Sequence, residues 1–124
     1  GLNSCWVALT FGKGAAKKFA GLGRGDKLVC AVALGYGKTQ GVPHKSRPLD
    51  EVVGAKGAPE WFLRGAEAAL LAPTAVNQQK FRFTLAGERA VRAERTGGFY
   101  SDIDLGIVKY HFEQGAGKEN FDWE

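Results

Sequence analysis

Methionine is absent, and cysteine and histidine number two each in 124 residues. Cys5 and Cys30 lie far apart, without the close spacing of a zinc site or a redox pair. A disulfide scaffold in so short a chain would need more of them. Both read as buried or merely free thiols, which suits a reducing, cytoplasmic compartment. His44 and His111 have no ligand-like neighbour, so no metal site and no Ser–His–Asp grouping can be assembled from them. No apolar run approaches the roughly 20 residues of a membrane helix, and no signal-peptide pattern is present. The chain opens on Gly-Leu-Asn rather than Met, so an upstream segment is expected to be missing.

Glycine is what the chain has in excess, 18 of 124 residues, spread through turns without a collagen-like period. Apolar residues make up 44% and charged residues 24%, which excludes wholesale disorder. The length fits one domain over residues 1–124. Seventeen Lys+Arg against thirteen Asp+Glu leave +4. An excess that mild suits an anionic small ligand as well as nucleic acid.

Hydrophobic patterning predicts an α+β chain with a small mixed or antiparallel sheet packed with helices. The run Lys27-Leu-Val-Cys-Ala-Val-Ala-Leu34 reads as a strand buried on both faces at the centre of a sheet. Residues 35–48 carry three glycines and two prolines and read as loop. Pro59 is placed at the first position of a helix with Phe62, Ala66, Ala69 and Leu70 on one face, Glu60 paired with Arg64, and Pro73 beyond its end. Phe81–Leu85 and Arg89–Arg95 alternate in polarity around Ala86-Gly87-Glu88, a β-hairpin. A second helix starts near Ser101, with Asp104 in a capping box. Leu105, Val108 and Phe112 share one face, and Ile103 and Ile107 widen it, so burial on most sides is expected. Gly106 within it implies close packing against another element. A shorter helix is expected around Ala15–Ala20. The aromatics Phe81, Phe83, Phe99, Tyr100 and Tyr110 read as core rather than as stacking platforms.

Three segments are candidates for chemistry. Gly35-Tyr-Gly-Lys-Thr39 follows a strand as a phosphate-cradling loop would, but Val32 stands where that motif needs glycine, and Gly41 and Pro43 follow where it needs a helix. In Pro43-His-Lys-Ser-Arg-Pro48, Lys45 and Arg47 alternate along an extended segment held between prolines. Such a pair can grip a phosphate, through a forked contact from Arg47 and a point charge from Lys45; the spacing equally allows a solvated basic loop. In Ala72-Pro-Thr-Ala-Val-Asn-Gln-Gln79, three consecutive amides offer donors and acceptors to the polar edge of a planar heterocycle, or form a turn leading into the hairpin.

Taken in order, these segments resemble a family. Gly1-Leu-Asn-Ser-Cys-Trp-Val7, a strand and Pro43-His-Lys-Ser-Arg-Pro-Leu-Asp-Glu51 resemble the C-terminal part of a flavin-dependent nitroreductase domain. There a Gly-Leu-Gly-Thr-Cys-Trp-like turn runs beside the isoalloxazine, and a Lys-Ser-Arg-like segment binds the FMN phosphate. Trp61 to Gln79 is similar to the family's Ala-Pro-Ser-x-x-Asn-x-Gln-Pro segment, which in ordinary members comes early in the domain. Here it follows the phosphate segment, as in a nitroreductase subfamily with two diverged halves in one polypeptide, a pseudo-dimer. Asp104-Leu-Gly-Ile-Val108 resembles the helix that in the first half would run into the glycine turn at residue 1, and residues 115–123 then occupy the place of Gly1 to Trp6 in the second half. Residues 1–54 would be the end of a first half and 55–124 a second half. Asn3 replaces a usual glycine, Lys80 stands where proline is common, and the early Arg-x-Ser-x-Arg-like segment does not occur.

The resemblance implies a nitroreductase-like fold and non-covalent FMN, with electrons taken from NAD(P)H and passed to a nitroaromatic, a quinone or a similar acceptor. Lys45 and Arg47 would neutralise the phosphate, the backbone of Val7, Ala8 and Leu9 would lie near the reactive edge of the ring, and Pro73, Thr74, Ala75 and Asn77 would close the site. No side chain is named as catalytic, because the flavin carries the redox chemistry. The expected partner is the missing N-terminal half or a dimer mate, with no membrane and no nucleic acid. Two other classes stay open: a flavin-free structural half of a pseudo-dimer, and a small basic nucleic-acid-binding module.

Overall fold

The computed structural model describes residues 1–54 and 57–124, and these separate into two compact units, Gly1–Pro43 and His44–Glu124. Residues 55 and 56, where the expected second half begins, lie outside the described residues. In the first unit β1 (Asn3–Val7) and β2 (Ala31–Gly35) form an antiparallel ribbon, with Asn3 opposite Gly35 and Val7 opposite Ala31. The short expected helix is α1 (Lys13–Phe19), which carries Lys17 and Lys18 in its last turn, where cations complement the helix dipole.

The apolar run 27–34 departs from its reading. Only its second half is strand, its partner among the described residues is β1 alone, and Val32 and Leu34 are exposed. No residue of 1–43 reaches full burial. Apolar composition records that a strand is suited to being covered; a two-stranded ribbon and a seven-residue helix supply too little surface to cover it.

The second unit holds the core. β3 (Phe81–Leu85) and β4 (Ala90–Arg95) make the expected hairpin, with Phe81 opposite Arg95 and the Ala86 N–H donating to Ala90 O at 2.8 Å. β5 (Asp122–Trp123) adds to β4 in parallel, and Val53 bridges Phe83 in parallel, so the sheet is mixed. Among the described residues three α-helices accompany it: α2 (Leu49–Val52), α3 (Glu60–Leu70) and α4 (Ser101–Ala116). The architecture is α+β, a small sheet packed against helices. Neither α2 nor β5 is foreseen in the sequence, being too short for a period to show.

In α3 the expected face, Phe62, Ala66, Ala69 and Leu70, is buried, and Arg64 pairs with Glu60 at 2.8 Å. Pro59 sits one position earlier than expected, as the extended residue before the helix, its carbonyl accepting from Phe62 N–H at 3.0 Å. The first turn of α4 also differs. Its cap is Tyr100 in the left-handed region, with no side-chain cap bond, so Ser101 and Asp104 form no capping box. Asp104 is instead turned to another loop, described below. Burial in α4 follows one stripe, Ser101, Asp104, Val108, Phe112 and Ala116; Leu105 and Ile107 only flank it.

The close approach expected at Gly106 occurs elsewhere. A Cβ on Gly106 would meet nothing within 4 Å, whereas one on Gly115 would lie 2.5 Å from the Arg64 carbonyl oxygen and one on Gly65 2.8 Å from the Phe112 ring. Glycines on facing turns let α3 and α4 approach more closely than any side chain allows. Phe62, Phe83, Phe112 and Phe121 are fully buried there, with Trp123 against Phe83, Phe112 and Phe121. Phe81 and Phe83 are core as expected, but Phe99 and Tyr110 are exposed. Tyr110 belongs to the outer face of a helix that is buried along one stripe only.

The C-terminal strand is tied to α4 through Glu113, whose carboxylate accepts from Lys118 Nζ at 2.9 Å and from Trp123 Nε1 at 2.6 Å. These bonds, that of Lys118 foremost, hold the Glu113 carboxyl below its ordinary value. A carboxyl whose folded pKa is depressed stabilises the fold above its unfolded value, about 4.3. That contribution is lost as pH falls through the lower folded value. Glu113→Gln is therefore expected to flatten the acid side of the stability curve below about pH 4.3. Urea midpoints across that range check it; a curve of unchanged steepness would show that the tether carries no pH dependence.

Candidate functional site

Pro73 follows α3, and Thr74 runs extended into a tight turn over Ala75–Asn77. Val76, Asn77 and Gln79 all have positive φ, at 47°, 54° and 46°. Left-handed backbone costs a non-glycine residue roughly 1–2 kcal/mol, most at a β-branched residue such as Val76. Strain persists only where the surroundings over-determine it, and here they do. Asp104 Oδ1 accepts from Ala75 N–H at 2.9 Å, Asp104 Oδ2 accepts from Gln78 Nε2 at 2.7 Å, and Thr74 Oγ1 accepts from Gln79 N–H at 3.1 Å. Gln78 also donates to Phe99 O, lying so close over Gly98 that a Cβ there would sit 2.1 Å from its Oε1.

Gln79 is fully buried and joins this turn to the basic segment. Its Oε1 accepts from Arg47 N–H at 2.8 Å, and its Nε2 donates to Lys45 O at 3.0 Å and to Asn77 Oδ1 at 2.7 Å. Asn77 Nδ2 reinforces the link by donating to Lys45 O at 2.9 Å. The segments around residues 45–47 and 74–79, both singled out in the sequence, are therefore one structural unit.

The expected site residues are distributed as follows. Lys45 and Arg47 lie on the exposed side of that unit. Lys45 Nζ has no hydrogen-bond or ion-pair partner among the described residues. The Arg47 guanidinium pairs with Glu51, Nη2 to Oε2 at 2.6 Å and Nε to Oε2 at 2.9 Å. Half-exposed pairs of this kind contribute little to stability and can open toward a stronger anion. Ser46 Oγ turns the other way and donates to Leu70 O at 3.4 Å. Pro73, Thr74 and Ala75 are half-buried in the turn, and the Asn77 carboxamide is engaged as described. Val7, Ala8 and Leu9 belong to the other unit, Val7 as the last residue of β1, Leu9 exposed.

Gln78 and Gln79 stand in the sequence reading only as members of the amide run, and Asp104 only as a helix cap; none of the three is named there as a site residue. The amide run was the available signal, but a run does not tell which amide points inward. Cys5 and Cys30 are free thiols. Among the described residues no cluster of His, Cys, Asp and Glu could hold a metal ion, and no helix is long and apolar enough to cross a membrane. Six of the 17 basic residues but only one of the 13 acidic ones lie in Gly1–Pro43, so the whole net positive charge sits in that unit.

No curated protein sequence matches the chain. Its fold matches the crystal structure of a protein described as "a putative nitroreductase" from Thermotoga maritima MSB8, with a TM-score of 0.67 and 21% sequence identity. The match covers 96% of this chain and 48% of that one, so the chain spans about half the length of that relative. At the level of sequence, residues 1–116 match the family described as "Putative TM nitroreductase". With nearly the whole length matched and the fold shared, the chain belongs to this nitroreductase family.

Proposed function

We propose that the protein containing this chain is an FMN-dependent oxidoreductase that takes electrons from NAD(P)H and delivers them to a nitroaromatic, a quinone or a similar planar acceptor. Family membership supports a general oxidoreductase. The finer reading is carried by one observation: the buried Gln79 carboxamide joins the Lys45–Arg47 segment to the Pro73–Asn77 turn, the two stretches that resemble FMN-binding parts of nitroreductases.

The residues fit such a group in their donor chemistry. Lys45 offers an ammonium with no partner among the described residues, and Arg47 offers a fork that pairs with the exposed Glu51 carboxylate and donates to Gln79 O at 3.4 Å; a phosphate dianion competes well for both cations. Asn77 keeps a second amide hydrogen and a second lone pair beyond the bonds it makes. The turn's left-handed backbone is strain held at the place where a ligand would be gripped. When bound, the flavin supplies the redox chemistry. The chain's own part is to neutralise the phosphate with Lys45 and Arg47, to line the ring with the backbone of Val7, Ala8 and Leu9, and to close the site with Pro73, Thr74, Ala75 and Asn77. No acid or base side chain is assigned.

In this reading residues 1–54 end one half and 55–124 make up another half of a cytoplasmic pseudo-dimer, completed by an N-terminal half or a dimer mate. The longer protein should purify yellow and release FMN on denaturation. A colourless preparation that stays colourless after FMN is added would sink the proposal. A flavin-free structural half is the competing reading, favoured by how fully the amides of the turn are engaged within the chain; the same test separates the two.

A further inference from the structure

We infer that Gln79 is a positioning residue whose clamp on Lys45 and Arg47 sets the preference for a phosphorylated flavin over its dephosphorylated form; this rests on the flavin reading above. Lys45 O and Arg47 N–H flank Ser46, and one carboxamide takes both, at 3.0 and 2.8 Å. That is the bonding pattern by which a residue of a parallel strand engages its neighbour. The Gln79 side chain thus stands in for a β-partner that the loop lacks. Arg47 precedes Pro48, which already disfavours helical backbone there. A segment held extended in this way sends residues 45 and 47 to one face and residue 46 to the other, and Ser46 does turn away, toward Leu70 O.

Two cations on one face can meet one phosphate; released from the clamp, they scatter. Burial makes the clamp rigid, because water cannot replace the bonds to Gln79. Its own main-chain N–H is fixed by Thr74 Oγ1, and its Nε2 by Asn77 Oδ1. Gln79 touches no ligand in this scheme. It acts through the two residues that do, so removing it should change phosphate recognition and leave ring recognition alone.

The test is titration of FMN and riboflavin into the unaltered full-length protein and into Gln79→Met, which keeps the side chain's length but not its bonds. Gln79→Asn, which keeps a buried carboxamide but is one methylene too short to reach both Lys45 O and Arg47 N–H, serves if Gln79→Met does not fold. For Gln79→Met the expected result is about a tenfold loss of FMN affinity, the worth of one charge-assisted contact, with riboflavin affinity within a factor of two. For Gln79→Asn a smaller loss is expected, again confined to FMN. Equal loss of both ligands, or loss of neither, overturns the positioning role while leaving the flavin reading intact. Failure of the unaltered protein to bind FMN, or equal affinity for the two flavins, overturns the phosphate assignment and the positioning role together.

Discussion

Replacing Lys45 and Arg47 together by alanine is expected to weaken FMN binding by a factor on the order of 10² to 10⁴ and to leave riboflavin almost untouched. A hydrogen bond to a charged group contributes roughly 1.5–3 kcal/mol net, so two such losses reach about 3–6 kcal/mol if they add. Arg47 is already paired with Glu51, and a phosphate must displace that carboxylate, which moves the expectation toward the lower end. The same pairing makes the two single changes unequal. Lys45→Ala removes a charge that has no ion-pair partner among the described residues, whereas Arg47→Ala also leaves Glu51 as an uncompensated anion near the ligand. Glu51→Gln should do the reverse and tighten FMN by freeing the guanidinium fork. Parallel titrations of both flavins read all of this directly. An FMN affinity within a factor of two of the parent in the double variant would reduce residues 44–48 to a solvated basic loop.

The largest loss of stability is expected at Phe112. Its ring is fully buried and meets Phe62, Phe83, Phe121 and Trp123 at centroid distances of 5.6, 4.4, 5.2 and 5.4 Å. It also lies against Gly65, the residue that lets α3 approach α4. Truncating a buried Phe to Ala costs about 3–5 kcal/mol, transfer and cavity together. The four surrounding rings are held by α3 (Phe62), by the sheet (Phe83 and Trp123) and by Phe121 just before β5, and they cannot close such a void without moving those elements, so the upper part of that range is expected. Urea unfolding of Phe112→Ala against the parent checks it. A cost below about 1.5 kcal/mol, the level of a volume-conserving swap, would mean that the aromatic cluster is not packed as described.

The elements that were legible in the chain are those whose signals are local. The α3 stripe of Phe62, Ala66, Ala69 and Leu70 has helical spacing, and the β3–β4 hairpin alternates on both sides of a short turn; the structure returns both. Signals that name a residue type without naming its neighbour misled. Gly106 was read as a packing glycine, but it faces open space, while Gly65 and Gly115 do that work. All three look alike in sequence, and only the crossing of two helices tells them apart. Ser101 and Asp104 have capping-box spacing, yet Asp104 bonds the Ala75–Gln78 turn, far away along the chain.

The candidate site divides in the same way. Its two pieces were visible in the residues themselves: the alternating cations Lys45 and Arg47 between prolines, and the amides at 77–79. Charge, donor count and the constraint of a proline ring are properties of a residue and its immediate neighbours, and they survive any fold. What joins those pieces depends on distance through space. Tertiary structure alone selected Gln79, from three adjacent amides, as the one to be buried and clamped onto residues 45 and 47. It alone turned Asp104 from a cap into an anchor, and left Val32 and Leu34 uncovered in a strand whose composition calls for cover. A buried polar group must find its bonds wherever the packed chain brings a partner within about 3 Å, and no spacing along the sequence specifies which partner that will be.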